Sequence, residues 1–395
     1  MRILALNPYH AGSHAAFLEG WLKHSRHSFE VLTLPGHHWK WRMRHAGATF
    51  AGELRTKPQA AGNDTSGDGD ASGGFDAVWC TSILDLASFY GLCRERFRGL
   101  PAMVYFHENQ LTYPTPGNTP GSHSKSEGRD QHFAITHLTS ALAAIQRGGI
   151  VGWNSAYHHD SFLTAARKLL KKMPGRELDH LPELIAGASR VLSPGVGLAE
   201  PHPGTEVPSP EVGHPGGDRP LHVLWVGRWE HDKDPDAFFA ALKKLKKRGV
   251  RFRLSVLGES FEQVPECFAT ARKRFADEIV RWGYQDSRRD YEAALREADV
   301  VVSTARHEFF GIAVVEAVTA GCFPVLPHRL AYPEVFGEDE RFYYDGTPEG
   351  LATRLMELDA DRPTMTFEER EAVVGRYRWE AAAGRLDDAM DEMVG

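Results

Sequence analysis

The sequence lacks most marks of a secreted, membrane-spanning or metal-clustering protein. Its four cysteines are scattered without CxxC spacing, so neither a zinc site nor a disulfide framework is expected. No apolar run approaches the roughly 20 residues that span a bilayer, and the strand-like start MRILALNPYH shows no charged leader or cleavage site. We therefore expect a cytoplasmic protein without a membrane partner, in which Cys80, Cys93, Cys267 and Cys322 are buried, reduced thiols.

A strong positive charge is also absent, since the net charge is −7, and this argues against a surface coated for nucleic acid. Basic residues nevertheless form two runs. Residues 36–57 hold five Lys/Arg and one Glu, and residues 165–176 hold five Lys/Arg and no acid. Such runs are usually solvated helix faces, but they are also where a polyanionic partner would dock.

The chain does contain short apolar strands that alternate with helical patterns, which is typical of parallel sheets covered on both faces. At 395 residues it is long enough for two domains. We predict an α/β protein with two Rossmann-like, doubly wound domains facing a central cleft, at residues 1–198 and 221–376. Residues 58–74 are a predicted disordered insertion, residues 199–220 a Pro/Gly-rich linker, and residues 377–395 a helix that packs back on the first domain.

In the first domain we predict strands at residues 2–6, 29–34, 75–80, 102–106, 150–153 and 190–193, and helices at 13–23, 84–96, 132–146 and 156–172. In the second, strands are predicted at 221–227, 251–258, 279–284, 299–303 and 322–327. Ligands bind at the carboxyl ends of strands in such sheets, so the loops that follow the strands are where a site is expected.

Residues 303–322, STARHEFFGIAVVEAVTAGC, place the carboxylates Glu308 and Glu316 on either side of a turn at Gly311. Glu316 lies about 7 Å along the predicted helix, at about 1.5 Å per residue. Free N–H groups at the start of that helix suit a phosphate. The alternative is an ordinary strand-turn-helix with two solvated acids, and spacing alone does not decide between them.

The loop RWEHDKDP brings two cations, Arg228 and Lys233, to the end of another strand. This pairing suits a diphosphate and stabilises the charge that develops on a departing nucleoside diphosphate. With these two cations at the strand end a metal is unnecessary, so none is expected. Asp234 before Pro235 predicts the start of the next helix.

Two loops of the first domain also carry candidates. Gly12 allows close approach of another backbone, and Ser13 is the predicted helix N-cap. After the strand ending in MVYF comes the run from His107 to Gln110, HENQ. The histidine can bond a sugar hydroxyl or can merely cap the strand.

Together these residues resemble the retaining GT-B glycosyltransferases of family four. The closer resemblance is to the tRNA-queuosine α-mannosyltransferases, also called glycosyltransferase-like domain-containing proteins. It rests on GSH at 12–14, LPGHHWKWRMR at 34–44, YFHENQLTYP at 105–114, WNSAYHHDSFL at 153–163 and RWEHDKDP at 228–235. The match covers both predicted domains and fails over residues 58–74 and the linker.

The resemblance implies a role for each motif residue. His107, beside the anomeric carbon, and Glu308, on the transferred sugar, are the implied catalytic residues. Arg228 and Lys233 hold the diphosphate and Glu316 the ribose. We predict a donor-binding set of Gly12, Ser13, Arg228, Lys233, Phe310, Gly311, Ile312 and Glu316, and an acceptor-binding set of His14, Trp39, Trp41, Arg42, Arg44, Glu108, Asn109 and Gln110.

The activity implied by the resemblance is transfer of mannose from GDP-mannose to the cyclopentenediol of queuosine in tRNA(Asp), with retention and without a metal. An anticodon nucleoside must be splayed out and stacked, for which Trp39, Trp41 and Tyr113 are candidates, although the same aromatics can equally be core. The two basic runs would add phosphate contacts.

Rival functions predict other features. A family-four transferase acting on a lipid, polysaccharide or small molecule explains the donor motifs equally well, and for a lipid it predicts an amphipathic membrane-docking helix in the first domain. A nucleotide-sugar epimerase has no need of the WKWRMR and HENQ stretches. A silent RNA-binding module has no need of the donor set.

Overall fold

The computed structural model describes residues 1–56, 74–112, 131–198, 219–260, 264–362 and 364–395. Of the predicted insertion at 58–74, only Gly74 is among the described residues. Of the predicted linker at 199–220, only residues 219 and 220 are. Tyr113 lies outside the described residues. The described chain forms two compact units, which are Met1–Gly195 with Trp379–Gly395 (unit 1) and Val196–Arg378 (unit 2).

Unit 1 is built on a six-stranded parallel sheet with the order β2-β1-β3-β4-β5-β6. The order reverses between β1 and β3. Its strands are β1 Arg2–His10, β2 Ser28–Pro35, β3 Ala77–Thr81, β4 Ala102–Phe106, β5 Ile150–Trp153 and β6 Ser189–Val191. Its helices are α1 Gly12–His24, α2 Trp39–Thr56, α3 Leu86–Leu92, α4 Glu95–Arg98, α5 Gln131–Ile145, α6 Ala156–Leu170, α7 Leu181–Gly187 and, from the end of the chain, α15 Trp379–Val394.

Three local predictions for unit 1 are corrected. Strand β1 continues to His10, which pairs with Pro35 of β2, so only Ala11 separates strand and helix. Ala11 is therefore the N-cap, without a side-chain hydrogen bond, and the prediction that Ser13 caps α1 is wrong. The helix predicted at 84–96 is two helices, α3 and α4. Helices α2 and α7 were not predicted at all.

The final helix α15 packs on α1 through a buried carboxylate. Asp387 accepts hydrogen bonds from Trp21 Nε1 at 2.7 Å, Ser25 Oγ at 2.6 Å and the Arg26 backbone N–H at 2.8 Å. At the start of α15, the indole of Trp379 lies so close to Gly20 that a Cβ there would stand 2.1 Å from the ring. The glycine is required for this close approach.

Unit 2 is a second six-stranded parallel sheet with the order β12-β11-β10-β7-β8-β9, which reverses between β7 and β10. Its strands are β7 Leu221–Val226, β8 Phe252–Leu257, β9 Ile279–Gly283, β10 Val300–Val302, β11 Phe323–Pro327 and β12 Tyr343–Tyr344. Its helices are α8 Pro235–Lys247, α9 Glu266–Arg274, α10 Arg288–Glu297, α11 Ile312–Ala320, α12 Tyr332–Phe336, α13 Pro348–Ala360 and α14 Phe367–Val374. Asp234 caps α8 by accepting from Ala237 N, as predicted.

The predicted fold class is confirmed, because both units are α/β with one parallel sheet each. Three of the cysteines are buried as expected, whereas Cys267 is only half-buried. Among the described helices none is long and apolar enough to cross a membrane.

Candidate active site

A small cavity in unit 2 opens at the carboxyl ends of β7 and β10, where the strand order reverses. Doubly wound sheets bind ligands at this position, because the loops from the two strands diverge there. The cavity has a volume of about 40 Å³, and its lining includes Gly227, Lys233, Ser303, Glu308, Gly311, Ala313 and Tyr332. The structure thus brings Lys233, Glu308 and Gly311 together, although they come from two separate predicted motifs.

Lys233 is held by two carboxylates at this cavity. Its Nζ lies 3.1 Å from Glu308 Oε2 and 3.2 Å from Asp232 Oδ2, and it donates to the carbonyl of His307 at 3.0 Å. The side chains of Lys233 and Glu308 are only 14% and 24% exposed. This leaves the ammonium oriented at the cavity wall with little freedom to move.

Burial and charge act against each other in this pair, and charge prevails. Burial alone would lower the pKa of Lys233, but Glu308 and Asp232 raise it above its ordinary value. Burial would likewise raise the pKa of Glu308, but the Lys233 charge and its hydrogen bond lower it. Both groups are therefore ionised at neutral pH, so the cavity offers a fixed cation and a fixed carboxylate.

The loop after β10 is tied to the loop after β7 by contacts that sequence reasoning missed. Thr304 Oγ1 donates to the carbonyl of Lys233 at 2.8 Å, and Arg306 Nε donates to Asp234 Oδ2 at 2.6 Å. Glu308 Oε1 also accepts from the N–H of Phe309 at 3.1 Å. These bonds fix the two loops on each other and hold Glu308 against Lys233.

Helix α11 begins at the cavity. Its N-cap, Gly311, has φ of +92°, and a Cβ there would stand 3.1 Å from the ring of Tyr332, so the position favours glycine. The first N–H groups of a helix have no partner within the helix, and Ala313 lines the cavity. Phe310 is buried against Tyr377, so only its backbone faces this turn.

Glu316 lies farther along α11, with both carboxylate oxygens engaged by residues of α10. Oε2 accepts from the Tyr291 hydroxyl at 2.7 Å, and Oε1 pairs with Arg288 Nη1 at 2.8 Å. Burial and the Glu316 charge raise the pKa of Tyr291 well above its ordinary value, so its hydroxyl stays protonated and donates. The sequence analysis did not predict a role for Arg288 or Tyr291. Their spacing of three residues places them on one face of an amphipathic helix, and this was the signal that could have indicated them.

Arg228 follows the same strand as Lys233 and pairs with Glu230. Its Nη2 lies 3.3 Å from Glu230 Oε2, and its side chain is 41% exposed. The next residue, Trp229, stacks on Phe268 with ring centroids 4.2 Å apart and anchors the loop. Arg228 therefore projects from an anchored loop while keeping access to solvent.

In unit 1, His14 and His107 lie side by side, with ring centroids 4.2 Å apart. Burial is the main reason why the pKa of His107 lies well below its usual range, and the neighbouring charges of His14 and His158 lower it further. The His107 carbonyl accepts from Asn154 Nδ2 at 2.9 Å. A neutral imidazole at a strand end can accept or donate one hydrogen bond to a hydroxyl.

The other three residues of the HENQ run, Glu108, Asn109 and Gln110, differ in exposure to solvent. Asn109 is fully buried, and its Oδ1 accepts from Leu111 N and from Thr112, so it shapes the turn. Glu108 and Gln110 are half-buried, and the N–H of Gln110 points to Nε2 of His137 at 3.4 Å. Gly12 and Ser13 are exposed at the start of α1.

Buried histidines make the stability of unit 1 depend on pH. Burial lowers the pKa of His137 to about 4. Between its ordinary pKa of about 6.5 and this value the unfolded chain binds a proton that the folded chain does not. We expect the free energy of unfolding to be unaffected above pH 7 and to fall by roughly 3 kcal/mol as the pH drops from 6.5 to 4.

Urea unfolding at several pH values measures this pH dependence of the free energy of unfolding. His137→Gln keeps an acceptor for Gln110 N but does not titrate, so it should show a shallower loss than the parent protein. An identical loss in both proteins would remove His137 as the source.

The second group of predicted acceptor residues lies on α2. These side chains differ in how deeply they are buried. The ring of Trp39 packs on Phe133 at 5.3 Å and is half-buried, whereas Trp41 is 60% exposed. Arg42 contacts His45 and His37, and the Arg44 guanidinium stands 5.4 Å over the ring of Phe133. Of the other basic run, Lys168, Lys171 and Lys172 are exposed near the end of α6.

Comparison with known proteins identifies the class of enzyme. Residues 214–378 match the family "Glycosyl transferases group 1", and residues 2–196 match the family "tRNA-queuosine alpha-mannosyltransferase N-terminal". The sucrose-phosphate synthase of Thermosynechococcus elongatus superposes over 100% of this chain and 99% of its own, with a TM-score of 0.69 at 15% identity. The protein is therefore a glycosyltransferase with the GT-B fold, as predicted.

A relative that matches most of the chain defines the family within this class. The chain is 30% identical to the tRNA-queuosine alpha-mannosyltransferase of Drosophila melanogaster, over 86% of this chain and 83% of the relative. It belongs to the tRNA-queuosine alpha-mannosyltransferase family. It is also 26% identical to the GDP-mannose:cellobiosyl-diphosphopolyprenol alpha-mannosyltransferase of Xanthomonas oryzae pv. oryzae, over 44% of this chain and 47% of that one.

Proposed function

We propose that this enzyme transfers mannose from GDP-mannose to the cyclopentenediol of queuosine in the anticodon of tRNA(Asp), with retention of configuration. The observation that carries the proposal is the convergence of Lys233, Glu308 and the start of α11 on one cavity, in a chain whose first half matches the queuosine family. A tRNA acceptor places the reaction in the cytoplasm.

Unit 2 is assigned the donor. Lys233, Arg228 and the N–H groups at Gly311 and Ile312 would bind the diphosphate, since a fixed cation and a helix N-terminus both favour phosphate oxygens. Glu308 would contact the transferred sugar and Glu316 the ribose. The relative from Xanthomonas oryzae, whose name specifies GDP-mannose, matches part of this chain and supports that donor.

The proposed reaction exchanges one bond at the mannose C1 and moves one proton. The mannose C1–O bond to the β-phosphate breaks, C1 bonds to a hydroxyl oxygen of the cyclopentenediol, and the hydroxyl proton passes to the departing GDP. Lys233 and Arg228 stabilise the charge that develops on the diphosphate. The hydroxyl attacks from the face that the diphosphate leaves, which accounts for retention without a covalent enzyme intermediate.

Unit 1 is assigned the acceptor and the groups that meet the sugar. His107, kept neutral, would bond a sugar hydroxyl, and Gly12 and Ser13 would offer exposed backbone to a phosphate. His14 supports the His107 ring. Glu108 and Gln110 offer the polar side chains for the queuosine diol, while Asn109 shapes the loop that presents them.

Tyr291 should act as a positioning residue for Glu316. In Tyr291→Phe the carboxylate loses one charged hydrogen bond, which is worth roughly 1.5–3 kcal/mol. We expect KM for the nucleotide sugar to rise roughly tenfold while kcat changes much less. Arg289→Ala, an exposed change on the same helix, is the control, and an equal effect of both substitutions on KM would contradict the role.

The direct test offers purified enzyme two tRNA samples, with and without queuosine, and a panel of labelled nucleotide sugars. We expect label from GDP-mannose in the queuosine-containing tRNA alone. Consumption of GDP-mannose without label in either tRNA would overturn the acceptor. Label transferred from another nucleotide sugar in preference to GDP-mannose would overturn the donor. A lipid-linked acceptor offered in parallel tests the rival transferase.

A further inference from the structure

The start of α2 forms an open surface pocket in unit 1. The pocket has a volume of about 490 Å³ and is lined by His38, Trp39, Lys40 and Trp41. It is wide enough for a planar ring the size of a nucleobase. His38, at its rim, has φ of +53°, a region that histidine rarely adopts. Its carbonyl accepts from the N–H of Trp41 at 2.8 Å, which starts the helix.

Trp39 anchors the pocket at the same edge of the sheet as His107. Its ring packs against the small cluster of Met43, Ile83 and Phe133, which Tyr9 also joins. The ring of Tyr9 lies 5.7 Å from His14, and His14 touches His107. The pocket is therefore connected through packed side chains to the predicted acceptor site.

Trp41 presents its ring to solvent beside a histidine. The indole is 60% exposed, and the His45 ring contacts it at a tilt of 44°, with ring centroids 5.3 Å apart. The Arg42 guanidinium reaches His45 at 3.4 Å and His37 at 3.2 Å. The open face of the indole is therefore available for a base to stack on.

The charge around the pocket is positive. Lys40 is exposed with its Nζ 5.7 Å from the Trp39 ring centroid, and within the described part of the chain no carboxylate pairs with it. The first turn of α2 holds no acid, and the helix N-terminus adds the positive end of its dipole. Phosphate next to a stacked base would be attracted here.

We propose that this pocket binds an unpaired base of the tRNA anticodon loop, stacked on Trp41, with the adjoining phosphate at Lys40 and the start of α2. The inference rests on the proposed function, which makes the anticodon loop the acceptor. An aromatic face beside a cation is the chemistry by which proteins hold single-stranded RNA. A membrane surface fits less well, because the pocket holds only Trp39 and Trp41 beside His38 and Lys40 and lacks the broad apolar face that enters a bilayer.

The test measures binding of an anticodon stem-loop RNA to the full-length protein by fluorescence anisotropy, without donor. Trp41→Ala should weaken binding roughly ten- to a hundredfold, and Trp41→Phe should retain most of it. Lys40→Ala should lower the slope of log K against log salt by about 0.7 to 1. Matched controls are Phe367→Ala, an equally exposed aromatic, and Lys247→Ala, an exposed lysine of α8; both should bind as the parent does.

Two outcomes overturn the proposal. One is that folded Trp41→Ala binds the RNA within twofold of the parent. The other is that Trp41→Ala loses binding to anionic vesicles but not to RNA, which would assign the surface to a membrane. If mannose reaches queuosine with the same KM for tRNA in parent and Trp41→Ala, the pocket fails while the function stands. If RNA binding depends on Trp41 but no sugar reaches tRNA, the function fails while the pocket stands.

Discussion

Lys233→Ala is expected to lower kcat/KM for mannose transfer by roughly a thousandfold. The substitution removes the cation assigned to the leaving diphosphate, and it leaves the half-buried carboxylate of Glu308 and the buried carboxylate of Asp232 without their shared partner. Both losses act at the cavity, so KM for the donor should rise and kcat should fall. Initial rates at varied donor concentration measure the two terms separately.

The controls separate charge from folding. Lys243→Ala removes an exposed lysine of α8 and should leave the kinetics unchanged. Lys233→Ala combined with Glu308→Ala should be more stable than Lys233→Ala, because it leaves one carboxylate, Asp232, rather than two without the lysine, and it should be equally inactive. A fall in kcat/KM of less than tenfold for Lys233→Ala would contradict the donor assignment of Lys233.

Asp387→Ala is expected to destabilise unit 1 by about 3 to 5 kcal/mol. Asp387 is 2% exposed, and three donors, from Trp21, Ser25 and Arg26, converge on its carboxylate. Alanine leaves these donors buried without an acceptor and loosens α15 from α1. The effect exceeds that of ordinary surface substitutions because the bonds join segments that are far apart in the chain.

Urea unfolding followed by tryptophan fluorescence measures the change, and hydrogen exchange in α1 assigns it to unit 1. Asp388→Ala, one residue along and largely exposed, is the matched control and should have little effect, since its partner Arg26 also lies on the surface. Asp387→Asn keeps one acceptor oxygen but turns an amide toward a donor, so it should fall between the two. Equal stabilities for Asp387→Ala and Asp388→Ala would contradict the anchoring role.

The meeting of Lys233, Glu308 and Gly311 at one cavity was predictable because these residues are local to two short motifs. Glu308, Gly311 and Glu316 belong to one strand-turn-helix, and Lys233 follows a neighbouring strand. Parallel strands place their carboxyl ends at one edge, so these loops meet without further information. The individual side-chain pairs were not predictable. Lys233 pairs with Glu308, 75 positions away, and Glu316 pairs with Tyr291, 25 positions away.

Helix α2 shows why other parts were missed. Its buried residues Met43, Ala46, Phe50 and Leu54 recur at helical spacing, but small residues and glycine dilute the apolar pattern. The first turn, WKWR, has the appearance of a basic run rather than a helix start. Only packing against neighbouring elements of unit 1 shows which face of this segment is buried.

By itself, the sequence determined the α/β class with its two parallel sheets, the family and the two motifs whose residues meet at the unit 2 cavity, since strand alternation and motif spacing are local properties of the chain. The tertiary structure decided which cation meets Glu308, what holds Glu316, and that Trp39 is packed while Trp41 is exposed. The physical reason is that burial and charge pairing depend on what lies across from a side chain. That neighbour comes from a distant segment, and the residue's own sequence context does not specify it.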